Sequence, residues 1–190
     1  MEASLVGRAR AERKPRDRAG ERQLLWAGAL FALAVIVHNA DHLRRGADAL
    51  TPEVFWLGTA GIVLEVALVT AVFQRHWLAP LAAAVGGLSL AAGYLEVHFL
   101  PAQGAMTDSF TAAAHVSPLS WFAAGLEIVA ALTLAAAGAR RLRAEGGVSA
   151  FLDTRPDGHG FRASSIHPVV YLIVLSQAAT LAVSFVQAYG

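Results

Sequence analysis

The chain has 190 residues, of which 56% are hydrophobic and only 15% charged, and its mean hydropathy is +0.50. This balance is typical of a membrane protein rather than a soluble domain. Cysteine is absent, which excludes disulfides, thiolate metal sites and cysteine nucleophiles.

The chain begins with a basic segment that is poor in apolar residues. Seven arginines and lysines lie within residues 1–22, although the formal net charge of the whole chain is only +1. This composition predicts a disordered cytoplasmic tail. A cleaved signal peptide is the less favoured interpretation, because the following apolar run is long and ends in HNADH instead of a small-residue cleavage site.

Five apolar segments follow, each near the length of about 20 residues that a helix needs to cross a bilayer. Prolines stand near most of their ends, where helices tolerate them. The sequence therefore predicts an all-α, polytopic bundle of five transmembrane helices forming one domain over residues 23–190. The predicted spans are residues 24–43, 54–73, 77–100, 119–139 and 168–188.

The distribution of basic residues predicts the orientation of this bundle. The N-terminal tail, the turn with Arg75 and the basic loop 140–162 lie on one side if five helices alternate. Basic loops are retained in the cytoplasm, so the N-terminus should be cytoplasmic and the C-terminus extracytoplasmic, in a multi-pass protein of the plasma membrane. The pair Arg44 and Arg45 is an exception, which pairing with an acidic residue would explain.

The first span ends in the unusual stretch VIVHNADHLRRG, residues 35–46. On a helix His38, Asp41 and His42 share one face, and Arg45 follows one turn later. Histidines at positions i and i+4 can offer two imidazoles to one metal ion, and an aspartate between them can act as a third ligand or orient one ring. Neutralisation of Asp41 by one of the arginines is the alternative interpretation.

Two glutamates stand alone in otherwise apolar spans. Glu65 and Glu127 lie about 12 to 15 Å from the outer helix ends, counted at 1.5 Å per residue. Ionisable side chains at this depth usually face the bundle interior and serve a function. Both residues are therefore candidate bases or proton carriers, and antiparallel neighbours at one depth suggest a shared proton or cation.

The third span ends in GYLEVHFLP, where periodicity leaves two faces open. Tyr94 and His98 share a face, whereas Glu96 points about 160° away from His98. We favour Tyr94 and His98 inward, with Glu96 near the basic pair that ends the first span. Gly86 and Gly93 predict a close-packing stripe between the two faces.

The remaining polar residues give weaker signals. His115 closes an outer loop that also contains Asp108 and is long enough to cover a pocket, so we consider it as a further contact to a substrate or metal ligand. The small polar residues of the last span, with Gln177 beside them, favour helix packing. The cytoplasmic loop contains no phosphate-binding glycine motif, and no nucleic-acid partner is expected.

Together these patterns favour an outward-facing pocket of histidines and carboxylates that binds a metal ion. Nitrogen and oxygen ligands suit zinc, iron, manganese or copper(II). Such a metal would serve a membrane enzyme acting on a small-molecule or lipid-like substrate. Three alternatives stay open at this stage: proton-coupled transport through Glu65 and Glu127, b-type haem bound by two histidines, and a non-catalytic assembly subunit of a homo-oligomer or membrane complex.

Overall fold

A computed structural model describes residues 18–46, 49–101, 104–153 and 167–189, and the regular structure in these residues is helical. A π-helical turn, Leu95–Phe99, continues the third helix directly. No strand occurs within the described ranges. The helices are α1 (Arg18–Arg45), α2 (Pro52–Phe73), α3 (Ala79–Tyr94), α4 (Pro118–Ala144), α5 (Val148–Asp153) and α6 (Pro168–Tyr189).

Four helices are long and apolar enough to cross a membrane: α1, α2, α3 with its π turn, and α4. This is the architecture of a multi-pass membrane protein. The apolar part of α6, Pro168–Val183, is shorter, so the predicted fifth span and the orientation of the termini stay predictions. Large apolar side chains point outward, including Trp26 at 71% exposure and Leu175 at 67%, as contact with lipid requires.

The helix ends follow local chemistry. α2 begins at Pro52, and the side chain of Thr51 caps it by accepting a hydrogen bond from the Val54 amide at 3.2 Å. The basic residues 140–143 remain helical, because arginine is a good helix former and favours a helix C-terminus. α1 likewise begins at Arg18, so it includes residues 18–22 of the predicted tail; residues 1–17 lie outside the described residues.

The closest helix packing in the described chain joins α3 to α4, and two glycines permit it. A Cβ on Gly87 would lie 2.6 Å from the Ala131 carbonyl oxygen, and one on Gly138 would lie 2.5 Å from the Pro80 carbonyl oxygen. The packing stripe predicted at Gly86 and Gly93 is wrong at Gly93, where a Cβ would meet nothing within 4 Å, whereas a Cβ on Gly86 would lie 3.3 Å from the Leu68 side chain of α2. The closest contact involves the next residue, Gly87, on the face toward α4.

The interior divides into an apolar half and a polar half. Phe31, Val69, Leu134 and Ile173 are fully buried in a core built from α1, α2, α3, α4 and α6. The polar half lies where α1 ends, where α2 and α4 begin, and where the π turn follows α3. The fold thus brings the chemically distinctive residues together at one end of the bundle.

Candidate metal centre

Two histidines of α1 form the base of the candidate site. His38 and His42 lie one turn apart, and their Nε2 atoms are 2.9 Å from each other. Their rings contact edge to face, with centroids 4.6 Å apart. His38 is 5% exposed, so this pair of nitrogens is withdrawn from the surface.

The third histidine comes from the π turn. His98 is 4% exposed, and its ring centroid lies 4.9 Å from that of His38 and 5.6 Å from that of His42. One ligand atom from each of the three histidines lies within 4.8 Å of the others. This group, the histidine cluster, is the one set of potential metal ligands found in the described part of the chain.

Two carboxylates lie beside the Nδ1 atoms of His38 and His98. Glu127 on α4 is fully buried, and its Oε2 lies 3.1 Å from His38 Nδ1. Asp108, from the loop before α4, lies with Oδ2 3.4 Å and its carbonyl oxygen 3.3 Å from His98 Nδ1. Carboxylates in this position fix the orientation of metal-binding imidazoles and leave the Nε2 atoms for the ion.

The loop reaches the site through backbone pairing with the π turn. The Asp108 amide donates to the Val97 carbonyl at 3.1 Å, and the Phe110 amide donates to the His98 carbonyl at 2.9 Å. The Phe110 ring then packs on His98, with centroids 4.7 Å apart. The loop is therefore positioned by main-chain hydrogen bonds that place its carboxylate on the histidine.

Arg45 neutralises this loop carboxylate. Its Nη1 and Nη2 atoms contact the two Asp108 oxygens at 2.5 and 2.6 Å, and both side chains are 1% exposed. Burial by itself would raise the pKa of Asp108, but the hydrogen bonds from Arg45 and His98 outweigh it and lower that pKa below its ordinary value of 3.8. Asp108 therefore stays ionised beside the histidine cluster.

The two intramembrane glutamates meet at a tyrosine. The Tyr94 hydroxyl donates a short hydrogen bond to Glu65 Oε1, and the Glu127 carboxyl group lies close to this pair. Glu65 on α2, Tyr94 on α3 and Glu127 on α4 thus form one polar group, next to His38. The sequence predicted that Glu65 and Glu127 lie at the same depth, and in the structure both lie near Tyr94.

Several buried polar atoms of the site have no hydrogen-bond partner. They are His42 Nδ1, Glu65 Oε2, Glu127 Oε1 and, nearby on α6, Gln177 Nε2. His38 Nδ1 and Glu127 Oε2 contact each other at 3.1 Å, but their orientation is not that of a hydrogen bond. Unpaired polar atoms in a protein interior are costly, and a cluster of them points to a bound ion or ligand. Within the described residues these atoms converge on the same end of the bundle as the histidine cluster.

The other residues singled out in the sequence lie around this centre. The Asp41 carboxylate accepts a hydrogen bond from Arg44 at 2.9 Å and lies outside the histidine cluster. Glu96 and the His115 side chain are exposed, while the His115 carbonyl accepts a hydrogen bond from Arg44 at 3.1 Å. Arg45 forms its ion pair with Asp108 and not with Asp41 or Glu96.

Two features of the site were missed by sequence reasoning. The contact between Asp108 and His98 depends on the path of an irregular loop, which has no periodicity to read. The Asn39 amide donates to Gln177 Oε1 at 3.0 Å and so ties α1 to α6 beside the cluster. The signal for this second contact was an asparagine and a glutamine in apolar spans.

Comparison with protein-family models, with curated proteins and with solved structures finds no match for this chain. The site is a group of three histidines, two of them buried, flanked by two carboxylates and next to a tyrosine that donates to Glu65.

Proposed function

We propose that this protein binds a divalent transition metal through the Nε2 atoms of His38, His42 and His98. The observation that carries the proposal is the convergence of three histidines, of which His38 and His98 are buried and have carboxylates beside their Nδ1 atoms. In known metal sites a histidine ligand usually donates the N–H of its other ring nitrogen to a carboxylate or a backbone carbonyl. A packing role alone would not require this arrangement.

The dimensions of the site suit a metal of this class. Zinc–nitrogen bonds of about 2.0 to 2.1 Å place tetrahedral ligands about 3.3 Å apart, which is close to the 2.9 Å between His38 and His42 Nε2. The ligand nitrogen of His98 lies within 4.8 Å of theirs and would have to move closer to bind the same ion. A nitrogen and oxygen donor set without sulfur suits zinc, iron, manganese or copper(II).

The charge of the site supports a cation as well. Glu65 and Glu127 are buried, at 4% and 0% exposure, and Arg45 is already paired with Asp108. An ionised carboxylate in the interior is stable only with positive charge nearby, because its desolvation is expensive. A divalent ion on the histidine cluster would supply it.

Three histidine ligands leave a coordination position open, which is typical of catalytic sites. A bound cation would act as a Lewis acid and activate a coordinated water molecule. Glu65 and Glu127 are the bases available to accept its proton, and the Tyr94 hydroxyl orients Glu65. We therefore favour a metal-dependent membrane enzyme of the plasma membrane, with five spans, a cytoplasmic N-terminus and the site facing outward.

Metal analysis of the purified protein tests this proposal. We expect about one zinc, iron, manganese or copper ion per chain, lost in His42→Ala and in His98→Ala and kept in His115→Ala, the exposed control. Cobalt(II) reconstitution should give visible ligand-field bands with the wild type and with the control only. A properly folded wild type that takes up no metal under either condition would refute the proposal.

The other candidate functions receive less support. Haem would require the plane of a large ring between two histidines, whereas the rings of His38 and His98 already contact each other. The line of titratable groups would suit proton movement, but fully buried Phe31, Val69 and Leu134 close the bundle beyond it. A purely assembling subunit would leave the unpaired nitrogens and carboxylate oxygens unexplained.

A further inference from the structure

A cavity of about 380 Å³ adjoins the histidine cluster. α2 lines it over residues 54–65 and α3 with its π turn over residues 89–98, while α1 contributes the first two histidines and α6 contributes Thr180 and Leu181. Its polar wall consists of groups of the candidate site together with Asn39, Thr59, Ser89 and Thr180, and the rest of the wall is apolar or glycine. The volume is within the usual range for pockets that bind small molecules.

Glycines keep this cavity open. A Cβ added to Gly58 on α2 or to Gly93 on α3 would meet no atom within 4 Å, although both residues line the cavity. They differ from Gly87 and Gly138, whose missing side chains let two helices touch. The glycines of the cavity therefore leave space for something other than a neighbouring helix.

The cavity reaches the lipid-facing surface of the bundle. Leu57 and Leu64 line it and are each 45% exposed, and Gly58 and Ser89 are also exposed. Both α2 and α3 are candidate membrane spans, so this opening faces the bilayer. An occupant that enters here comes from the lipid phase.

The inner end of the cavity is polar and incompletely paired. Glu65 lines it, is 4% exposed and has an oxygen, Oε2, with no hydrogen-bond partner. An occupant should therefore offer a hydrogen-bonding head group at this end and an apolar chain along the rest. A charged head group would be costly to desolvate in a cavity whose wall is mainly apolar, so a neutral head group is favoured.

We propose that the cavity binds a neutral, single-chain amphiphile from the bilayer, such as a long-chain alcohol or ester, with its head-group oxygen at the histidine cluster. This proposal rests on the proposed function, because it makes the amphiphile the substrate of the metal site. The chain lies along Gly58 and Gly93, and the head group reaches Glu65. Recognition of the head group distinguishes this binding from ordinary lipid contact.

Photolabelling in lipid nanodiscs tests the proposal. The probe is a long-chain alcohol with a diazirine in its alkyl chain, and the matched alkane without the hydroxyl is the second arm. We expect the alcohol to label residues 54–65 and 89–98. Labelling should fall about tenfold in Gly58→Leu, because the leucine side chain occupies the space of the alkyl chain. Gly125→Leu, at an equally open helix glycine outside the cavity, should label like the wild type.

The outcomes separate this inference from the metal proposal, because metal content is measured in the same preparations. Labelling that is equal in Gly58→Leu and the wild type, or equal for alcohol and alkane, overturns the amphiphile site even if metal is bound. Labelling that follows the expected pattern in a protein that binds no metal overturns the metal site and leaves a lipid-binding cavity. Gly93→Leu provides a second block from the opposite wall.

Discussion

The ion pair of Arg45 with Asp108 allows a quantitative test of how the loop is held at the site. Asp108→Asn keeps the size of the side chain and one acceptor oxygen but removes the charge that neutralises Arg45. Both side chains are 1% exposed, so the remaining guanidinium would be buried without a counter-charge. Breaking a buried pair from one side costs about 3 to 5 kcal/mol, and the retained acceptor favours the lower end.

A cost of about 3 kcal/mol corresponds to a decrease in Tm of roughly 6 to 12 °C for a chain of this size. Thermal unfolding in detergent, followed by tryptophan fluorescence, measures it. Glu145→Gln is the control, since its ion pair with Arg141 joins two partly exposed side chains on one helix and is worth about 0.5 kcal/mol at most.

A double variant separates the lost pair from a damaged loop. Arg45→Met with Asp108→Leu removes both charges and should be much more stable than Asp108→Asn alone, because no unpaired charge remains. A Tm for Asp108→Asn within about 2 °C of the wild type, or a double variant destabilised by the sum of both single changes, would refute the reasoning. Asp108→Asn should also weaken metal binding about 10-fold to 100-fold, since the carboxylate orients His98.

Two further predictions concern the same regions. The folded-state pKa of Asp108 lies below its ordinary value of 3.8, so its ionised form stabilises the fold fully above about pH 4. This contribution is lost as the pH falls through the folded-state pKa. Measurements of Tm at decreasing pH should show this loss in the wild type and not in Asp108→Asn. Gly138→Ala should destabilise the protein by about 1 to 3 kcal/mol, because its Cβ would lie 2.5 Å from the Pro80 carbonyl oxygen. Gly125→Ala should be neutral or stabilising in the same unfolding assay. Equal Tm values for the two variants would contradict the close packing of α3 and α4.

The sequence predicted the membrane helices because apolar length is a local property. The helix ends were harder to predict. Residues 18–22 and 140–143 are rich in arginine, yet they are helical, since a helix continues past the apolar segment when its residues favour it. The apolar segment of α6 is visible in the sequence. Whether this helix crosses the membrane also depends on the helices that pack around it, which composition does not describe.

The candidate site was predictable as far as it depends on helix faces and depth. Those two quantities grouped His38, His42 and His98 with Glu65 and Glu127, and the structure brings these side chains to one end of the bundle. The partners of the arginines followed only in part. Arg44 pairs with Asp41 one turn away, but the partner of Arg45 lies 63 residues along the chain in a loop whose path has no sequence periodicity.

The π turn at Leu95–Phe99 has a consequence for how this chain can vary. Such a turn contains one residue more than an α-helical turn, so the residues after it are rotated by about 100° from a continuous α-helix. Removing a single residue there would turn His98 away from its two partners and displace the loop whose amides pair with Val97 and His98. Apart from His98, a substitution in this turn leaves the direction of the ligand unchanged, whereas the loss of one residue dismantles the site.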